Sequence, residues 1–368
     1  MQLFKCTHCG QQLFFENDKC EQCQYPLGFE SQQLQLFPLV AEPEGATFRL
    51  YGSPAADATT YTYCHNHTEG ACNWLVPTDS ATPFCAACTL NRTIPNLEQP
   101  EHRARWRKLE SAKHRLVYSL LRMGLPVVSK AADPDRGLWF DFLADTSPES
   151  GQRVLTGHDE GLITINIAEA DDIEREMARK AMAELYRTLL GHFRHEVGHY
   201  YWDRLIDNTP HLARFRELFG DEQQDYSEAL KRHYDQGAPA DWAQFFISSY
   251  ASSHPWEDWA ETWAHYLHIM DTLQTAHAFG LSVKPVVADE TQFLQATISE
   301  EPYEQADFQR IMDQWLPLTF AMNSLNRSMG QPDPYPFIIR PAVVEKMAFI
   351  HKVCQEVKHC LQENRADC

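Results

Sequence analysis

The chain has 368 residues, 43% of them hydrophobic, and a formal net charge of −19. So acidic a surface repels nucleic acid and anionic membranes, and neither is expected as a general partner. The length exceeds one average domain, and no apolar run approaches the roughly 20 residues needed to span a bilayer.

The start, Met1-Gln2-Leu3-Phe4-Lys5-Cys6, has no apolar signal region, so a cytoplasmic chain is expected. Eleven cysteines in that compartment point to metal rather than to disulfides. Cys6-x2-Cys9 and Cys20-x2-Cys23 form two knuckles ten residues apart, each offering two thiolates to one tetrahedral zinc. Residues 1–30 therefore read as a zinc ribbon, with short hairpin segments such as Gln12-Leu13-Phe14-Phe15. Residues 31–98 read as a second module holding Cys64, Cys72, Cys85 and Cys88, in which His65 or His67 could replace one thiolate. Its strand-like pieces are Thr47–Tyr51 and Thr60–Tyr63. Both sites are closed by four protein ligands, so their expected role is folding rather than catalysis. Cys354, Cys360 and Cys368 lack ligand spacing and are expected to be free thiols.

Residues 99–368 form the rest of the chain. Glu101 to Met123 has helical periodicity and stops at Gly124-Leu125-Pro126. From Arg92 to Arg136 ten Lys/Arg face five acids, which suits a solvated helix face or an acidic partner. Gly137–Leu143 and Gly161–Ile167 read as strands, the second with clean alternation. This second strand is expected at a sheet edge, where an extended substrate could pair with it. Glu174–Leu190, Phe293–Phe320 and Pro341–Leu361 read as helices, the last two flanking a proline-rich break at Pro332–Pro336.

His195-Glu196-Val197-Gly198-His199 places two imidazoles one turn apart on one helix face, within reach of a single zinc. Glu196 beside them can take the proton from a zinc-bound water. Asp203, one turn on, lies too far along the axis to converge on the same ion; it can hold the His199 ring or stand as a surface charge. The third ligand should come from another helix. His254-Pro255-Trp256-Glu257-Asp258 carries helix-start signals, and Trp256, Trp259, Trp263, Tyr266, Leu267 and Met270 mark a core-facing stripe. Glu257 and Glu261 lie one turn apart, so one can bind metal while the other accepts a ligand ring N–H. Tyr250 is the candidate donor to the oxyanion, with His265 and Tyr266 behind it.

The segments Phe193–Asp203 and Glu257–Leu267 resemble the bacterial zinc-binding metallopeptidases grouped with the gluzincins. The likeness extends over nearly the whole chain, including the cysteine-rich start and Asn326–Gly330. It implies His195, His199 and Glu257 as zinc ligands, Glu196 as general base, and Glu261 behind a ligand ring, with Glu257 and Glu261 interchangeable in role. It also favours four cysteines in the second module, with Cys85–Pro95 as the recognisable tail. The expected fold class is α+β: zinc-ribbon modules followed by a mostly helical zincin-like domain with a small antiparallel sheet. The expected cofactors are three zinc ions, one catalytic and two structural, and the expected partner is a protein or peptide substrate. Two rivals share these features: a zinc-stabilised adaptor with a non-catalytic His-Glu site, and a protease recruited to DNA. A hydrolase of non-peptide amides would use the same device.

Overall fold

The computed structural model describes residues 2–43, 45–54, 59–145, 154–181, 188–286 and 294–363. It is an α+β chain that divides into two compact units, residues 1–122 with 126–175, and residues 123–125 with 176–368.

In the first unit, β1 (Phe4–Lys5) and β2 (Gln12–Leu13) form a short hairpin over the first cysteine knuckle. Five strands follow as an antiparallel meander: β3 (Leu27–Glu30), β4 (Gln35–Ala41), β5 (Phe48–Leu50), β6 (Tyr61–Tyr63) and β7 (Leu75–Pro77). Leu39, Leu50, Tyr61 and Leu75 bury its core. After β8 (Asn91–Thr93) runs α1 (Pro100–Arg122), whose buried face carries Trp106, Leu109, Leu116, Val117 and Tyr118.

The basic stretch of α1 is not simply a solvated face. Lys113 is wholly buried and ion-paired at 2.8 Å to Glu110, itself wholly buried. A long amphipathic cation can be taken out of water only when it meets a partner there, and Glu110 supplies it. Arg92 pairs with buried Asp141, and Arg115 reaches Glu16 at 2.6 Å.

A second, mixed sheet has the order β10 (Gly157–Asp159), β11 (Leu162–Asn166), β9 (Trp139–Leu143), β8. β11 runs parallel to β9, with Ile163 against Phe140 and Ile165 against Phe142, all four fully buried. The strand expected to be an edge is therefore interior. The reason is local: Glu160 and Gly161, at φ 44° and 80°, make a tight turn of the kind hairpins favour, and it folds β10 back onto β11.

The second unit is helical. α2 (Asp172–Ala181) leads towards it along the chain; the remainder of the helix expected to Leu190 includes residues 182–187, outside the described residues. α3 (Leu189–Leu205) starts where the Thr188 hydroxyl accepts the Gly191 N–H at 3.0 Å. α4 (Leu212–Phe219) and α5 (Tyr226–Gln236) follow. α6 (Pro255–Ala278) opens with the His254 ring accepting the Trp256 N–H at 3.1 Å, Pro255 in its first turn, and acids beside its positive end. Its Trp259, Trp263, Tyr266, Leu267 and Met270 are at most 1% exposed, while Trp256 is only partly buried. β12 (Ser282–Val283) pairs with β13 (Ala296–Thr297).

α7 (Phe308–Ser328) begins well after the expected Phe293, a residue outside the described set. Asp307 caps its first turn by accepting the Gln309 N–H at 2.9 Å, and Pro302 starts a separate single turn upstream. α8 is Pro341–Gln362. Cys354 on α8 is a buried free thiol, Cys360 is disulfide-bonded rather than free, and Cys368 lies outside the described residues. No helix among the described residues is long and apolar enough to cross a membrane.

α3 and α6 approach most closely at Gly198. A Cβ there would stand 3.0 Å from the Ala260 Cα and 3.3 Å from the Trp263 Cβ. The Trp259 indole N–H donates to the Gly198 carbonyl at 2.9 Å, fixing the two helices in register. Gly198→Ala is expected to force them apart and cost about 1–3 kcal/mol, the usual scale of overpacking. Urea unfolding followed by tryptophan fluorescence would read this as a lower midpoint; an unchanged midpoint would mean the crossing relaxes freely.

Candidate metal centre

α3 presents His195 and His199 from successive turns, and α6 presents Glu257 against them. The His195 Nε2 and His199 Nε2 atoms are 3.2 Å apart, and Glu257 Oε2 lies 3.1 Å and 3.6 Å from them. Three donors around one zinc at 2.0–2.1 Å would be separated by tetrahedral edges of about 3.3–3.4 Å. Glu257 is 1% exposed, and its Oε2 receives no hydrogen bond. Burying a carboxylate oxygen without a partner is costly, and a cation between the three donors removes the cost. The donor set fits zinc.

The surrounding groups orient these donors. His195 Nδ1 is 2.8 Å from Glu261 Oε1, so the ring donates there and turns Nε2 inward. Glu261 is held in turn by the Ser248 hydroxyl, which donates to Oε2 at 2.7 Å. The two acids of α6 thus take different positions, Glu257 among the donors and Glu261 behind the His195 ring. Tyr226 on α5 donates to Glu257 Oε1 at 2.5 Å. His192, one turn before Glu196, lies 3.1 Å from its Oε1.

Charge follows from this packing. Burial pushes Glu257 upward, but the neighbouring His199 and His195 outweigh it, and the carboxyl stands well below its ordinary value. Glu261 is held at about 2, again because His195 overcomes burial. Burial lowers His195, yet Glu257 and Glu261 raise it well above the usual range. Glu196, pushed up by burial, is brought below its ordinary value by His192 and the two motif histidines.

Tyr250 lies beside this group, its ring centroid 6.1 Å from that of His195, and burial pushes its hydroxyl far up so that it stays protonated. The residues placed behind it in sequence are engaged elsewhere. The Tyr266 hydroxyl lies 2.9 Å from His351 Nδ1, and His265 Nδ1 lies 2.8 Å from the Tyr335 hydroxyl. Asp203 is exposed on the turn after His199. Tyr226, Ser248 and His192 were not singled out from sequence. His192 carried a readable signal, sitting four residues before Glu196; Tyr226 at the start of α5 and Ser248 in the loop before α6 carried none.

In the first unit, Cys6, Cys9, Cys20 and Cys23 form one group whose sulfurs lie within 4.8 Å of one another, and Cys64, Cys72, Cys85 and Cys88 form another. Cys6 and Cys23 sulfurs are 3.7 Å apart, Cys9 and Cys20 3.6 Å, and Cys72 and Cys85 3.7 Å, with no disulfide in either group. Zinc–thiolate bonds of 2.3 Å imply tetrahedral edges of about 3.8 Å. Four thiols this close cannot all ionise alone: burial and neighbouring sulfurs push Cys72 well up, while hydrogen bonds from Cys72, Cys85 and Cys88 hold Cys64 far down. His65 and His67 stand outside the group, His65 edge-on to Phe84 and His67 stacked on Tyr63. A histidine that the spacing did not suggest approaches instead: His114 of α1, with Nε2 3.2 Å from the Cys72 sulfur and Nδ1 2.6 Å from the Glu110 carbonyl.

Residues 102–353 match the family model described as "Putative zinc-binding metallo-peptidase", and residues 3–99 match a zinc-ribbon domain. The chain is 43% identical over 358 residues to an uncharacterised protein of Mycobacterium bovis, with 97% of this chain and 96% of that protein covered. Uncharacterised proteins from two strains of Mycobacterium tuberculosis match to the same extent. No solved structure matches.

Closed thiolate sites make a direct prediction. With zinc bound, the eight thiols of the two cysteine groups are expected to resist a chromogenic disulfide reagent, and after removal of metal by a strong chelator all eight should react. Equal reactivity before and after chelation would show that these groups hold no metal.

Proposed function

We propose a function from a fixed premise: the chain belongs to the zinc-binding metallo-peptidase family and carries an N-terminal zinc ribbon. The reading is a zinc-dependent hydrolase of peptide bonds of the gluzincin type, acting on a protein or peptide. The observation that carries it is the unpartnered Glu257 Oε2 facing two histidine nitrogens at near-tetrahedral spacing. His195, His199 and Glu257 hold the catalytic zinc, and each cysteine group holds one structural zinc. Residues 1–30 and 31–98 serve as zinc modules, and residues 99–368 as the hydrolase.

Bound among His195, His199 and Glu257, zinc supplies Lewis acidity, which makes water nucleophilic near neutral pH and polarises the scissile carbonyl. Glu196 takes the proton from the attacking water and passes it to the leaving amine, remaining anionic in the resting state as the base role requires. His192 holds the Glu196 carboxylate in place through its 3.1 Å contact. Tyr250, protonated beside His195, donates to the developing oxyanion. Glu261 fixes the His195 ring, and Asp203 is assigned the same service to His199.

Elemental analysis is expected to find three zinc ions per chain, falling to two in His199→Ala. Glu196→Gln should keep all three ions and the fold, yet lose about 10²–10⁴-fold in turnover of a mixture of internally quenched peptides. Wild-type turnover in Glu196→Gln would sink the assigned base, and a wild-type zinc content near two would remove the catalytic centre altogether.

A further inference from the structure

We propose that Tyr226 is a positioning residue that keeps Glu257 a one-oxygen ligand and so keeps a metal position open; the proposal rests on the zinc reading above. The two oxygens of Glu257 have different fates. Oε1 takes the Tyr226 hydroxyl at 2.5 Å, whereas Oε2 takes no hydrogen bond and faces the two histidine nitrogens. A carboxylate gripping zinc through both oxygens would occupy the place that a catalytic zinc must leave for water or substrate. A short hydrogen bond to a charged oxygen is among the stronger ones available to a protein, so it competes with the second grip.

Tyr226 is built for this task. Asp225 caps α5 by accepting the Glu228 N–H at 2.8 Å, which makes Tyr226 the first residue of the helix. Its ring is wedged edge-on against His254, at 5.2 Å between centroids, and tilted against Trp256 at 6.0 Å, both at the start of α6. The helix start that presents Glu257 therefore also aims the tyrosine. No signal in the sequence marks Tyr226, because the partner lies 31 residues away.

The test uses full-length protein carrying zinc in both cysteine groups and cobalt(II) in the third site, with the two-to-one stoichiometry checked by elemental analysis. Tyr226→Phe keeps the ring and its packing against His254 and Trp256, and the thermal unfolding profile checks the fold. The variant is expected to bind one cobalt, to show weaker visible d–d absorption as the ion gains a ligand, and to bind acetohydroxamate about tenfold more weakly, the scale of one hydrogen bond to a charged group. A spectrum and hydroxamate affinity identical to wild type would overturn the proposal. So would a folded variant that takes up no cobalt, since Tyr226 would then be needed for metal binding itself. Wild-type protein that takes up no third metal would instead defeat the zinc reading, and this inference with it.

Discussion

The approach of α3 to α6 at Gly198 is the constraint on which the candidate metal centre depends. Gly198 precedes His199 and lies three residues after His195; Ala260 lies three residues after Glu257. At this crossing the two backbones come so close that a single methyl group would meet the Ala260 Cα at 3.0 Å. Zinc ligation tolerates only tenths of an ångström in its bond lengths, so the donors must be set by something stiffer than loop packing. Small residues give the closeness and large ones the stiffness. Trp259 locks the register through its bond to the Gly198 carbonyl, and Trp263 stacks on Tyr201 with ring centroids 5.1 Å apart. Phe215, Phe219 and Phe349 then close over Trp259 from α4 and α8.

A crossing this tight also buries charge, and beside the candidate ligands two buried acids meet opposite charges. Lys346 of α8 donates to Asp258 at 2.6 Å, directly beside Glu257 in sequence. Arg194, the residue before His195, pairs with Asp271, which also accepts the Tyr303 hydroxyl at 2.6 Å. The candidate ligand residues are thus flanked along both helices by ion pairs, Lys346 with Asp258 and Arg194 with Asp271. Glu257 and Glu261 both bear on His195 and draw it towards the protonated form. A divalent ion would satisfy the same field more completely than one proton, so metal binding there would be coupled to proton release.

How much of this could be read from the sequence follows from how local each interaction is. The spacing of His195 and His199 is a property of one helix turn, and so is the pairing of Glu257 with Glu261; both were legible. The helix starts at Pro255 and Pro341 were legible for the same reason. α4 and α5 were not singled out, and with them went Tyr226, whose bond to Glu257 spans a loop. The start of α7 was misplaced because an apolar periodicity runs on past Pro302, while the cap that begins the helix is one side chain, Asp307. β11 alternates as a strand should, but alternation does not tell an edge from an interior position. That was decided by the Glu160-Gly161 turn. His114 joins the second cysteine group from α1, 26 residues beyond Cys88, where no knuckle spacing could announce it.

The candidate donor sets in this chain differ in number and in surroundings, and so in the chemistry a bound zinc would have in each. Each cysteine group supplies four thiolates at edges that zinc would bridge, which satisfies a tetrahedral ion and leaves no position free. In the second group, Lys113, Glu110 and His114 crowd the sulfurs from α1, and all three are buried. A site so closed stabilises a fold and offers nothing to a substrate. The candidate centre on α3 and α6 supplies three donors, and the acids around it have partners of their own. Glu261 Oε1 meets a ring nitrogen of His195, Glu257 Oε1 takes the Tyr226 hydroxyl, and Glu196 Oε1 lies against His192. Three protein donors in this group, against four in each cysteine group, would leave a zinc held here one ligand short. That shortage is what separates a reactive metal from a structural one.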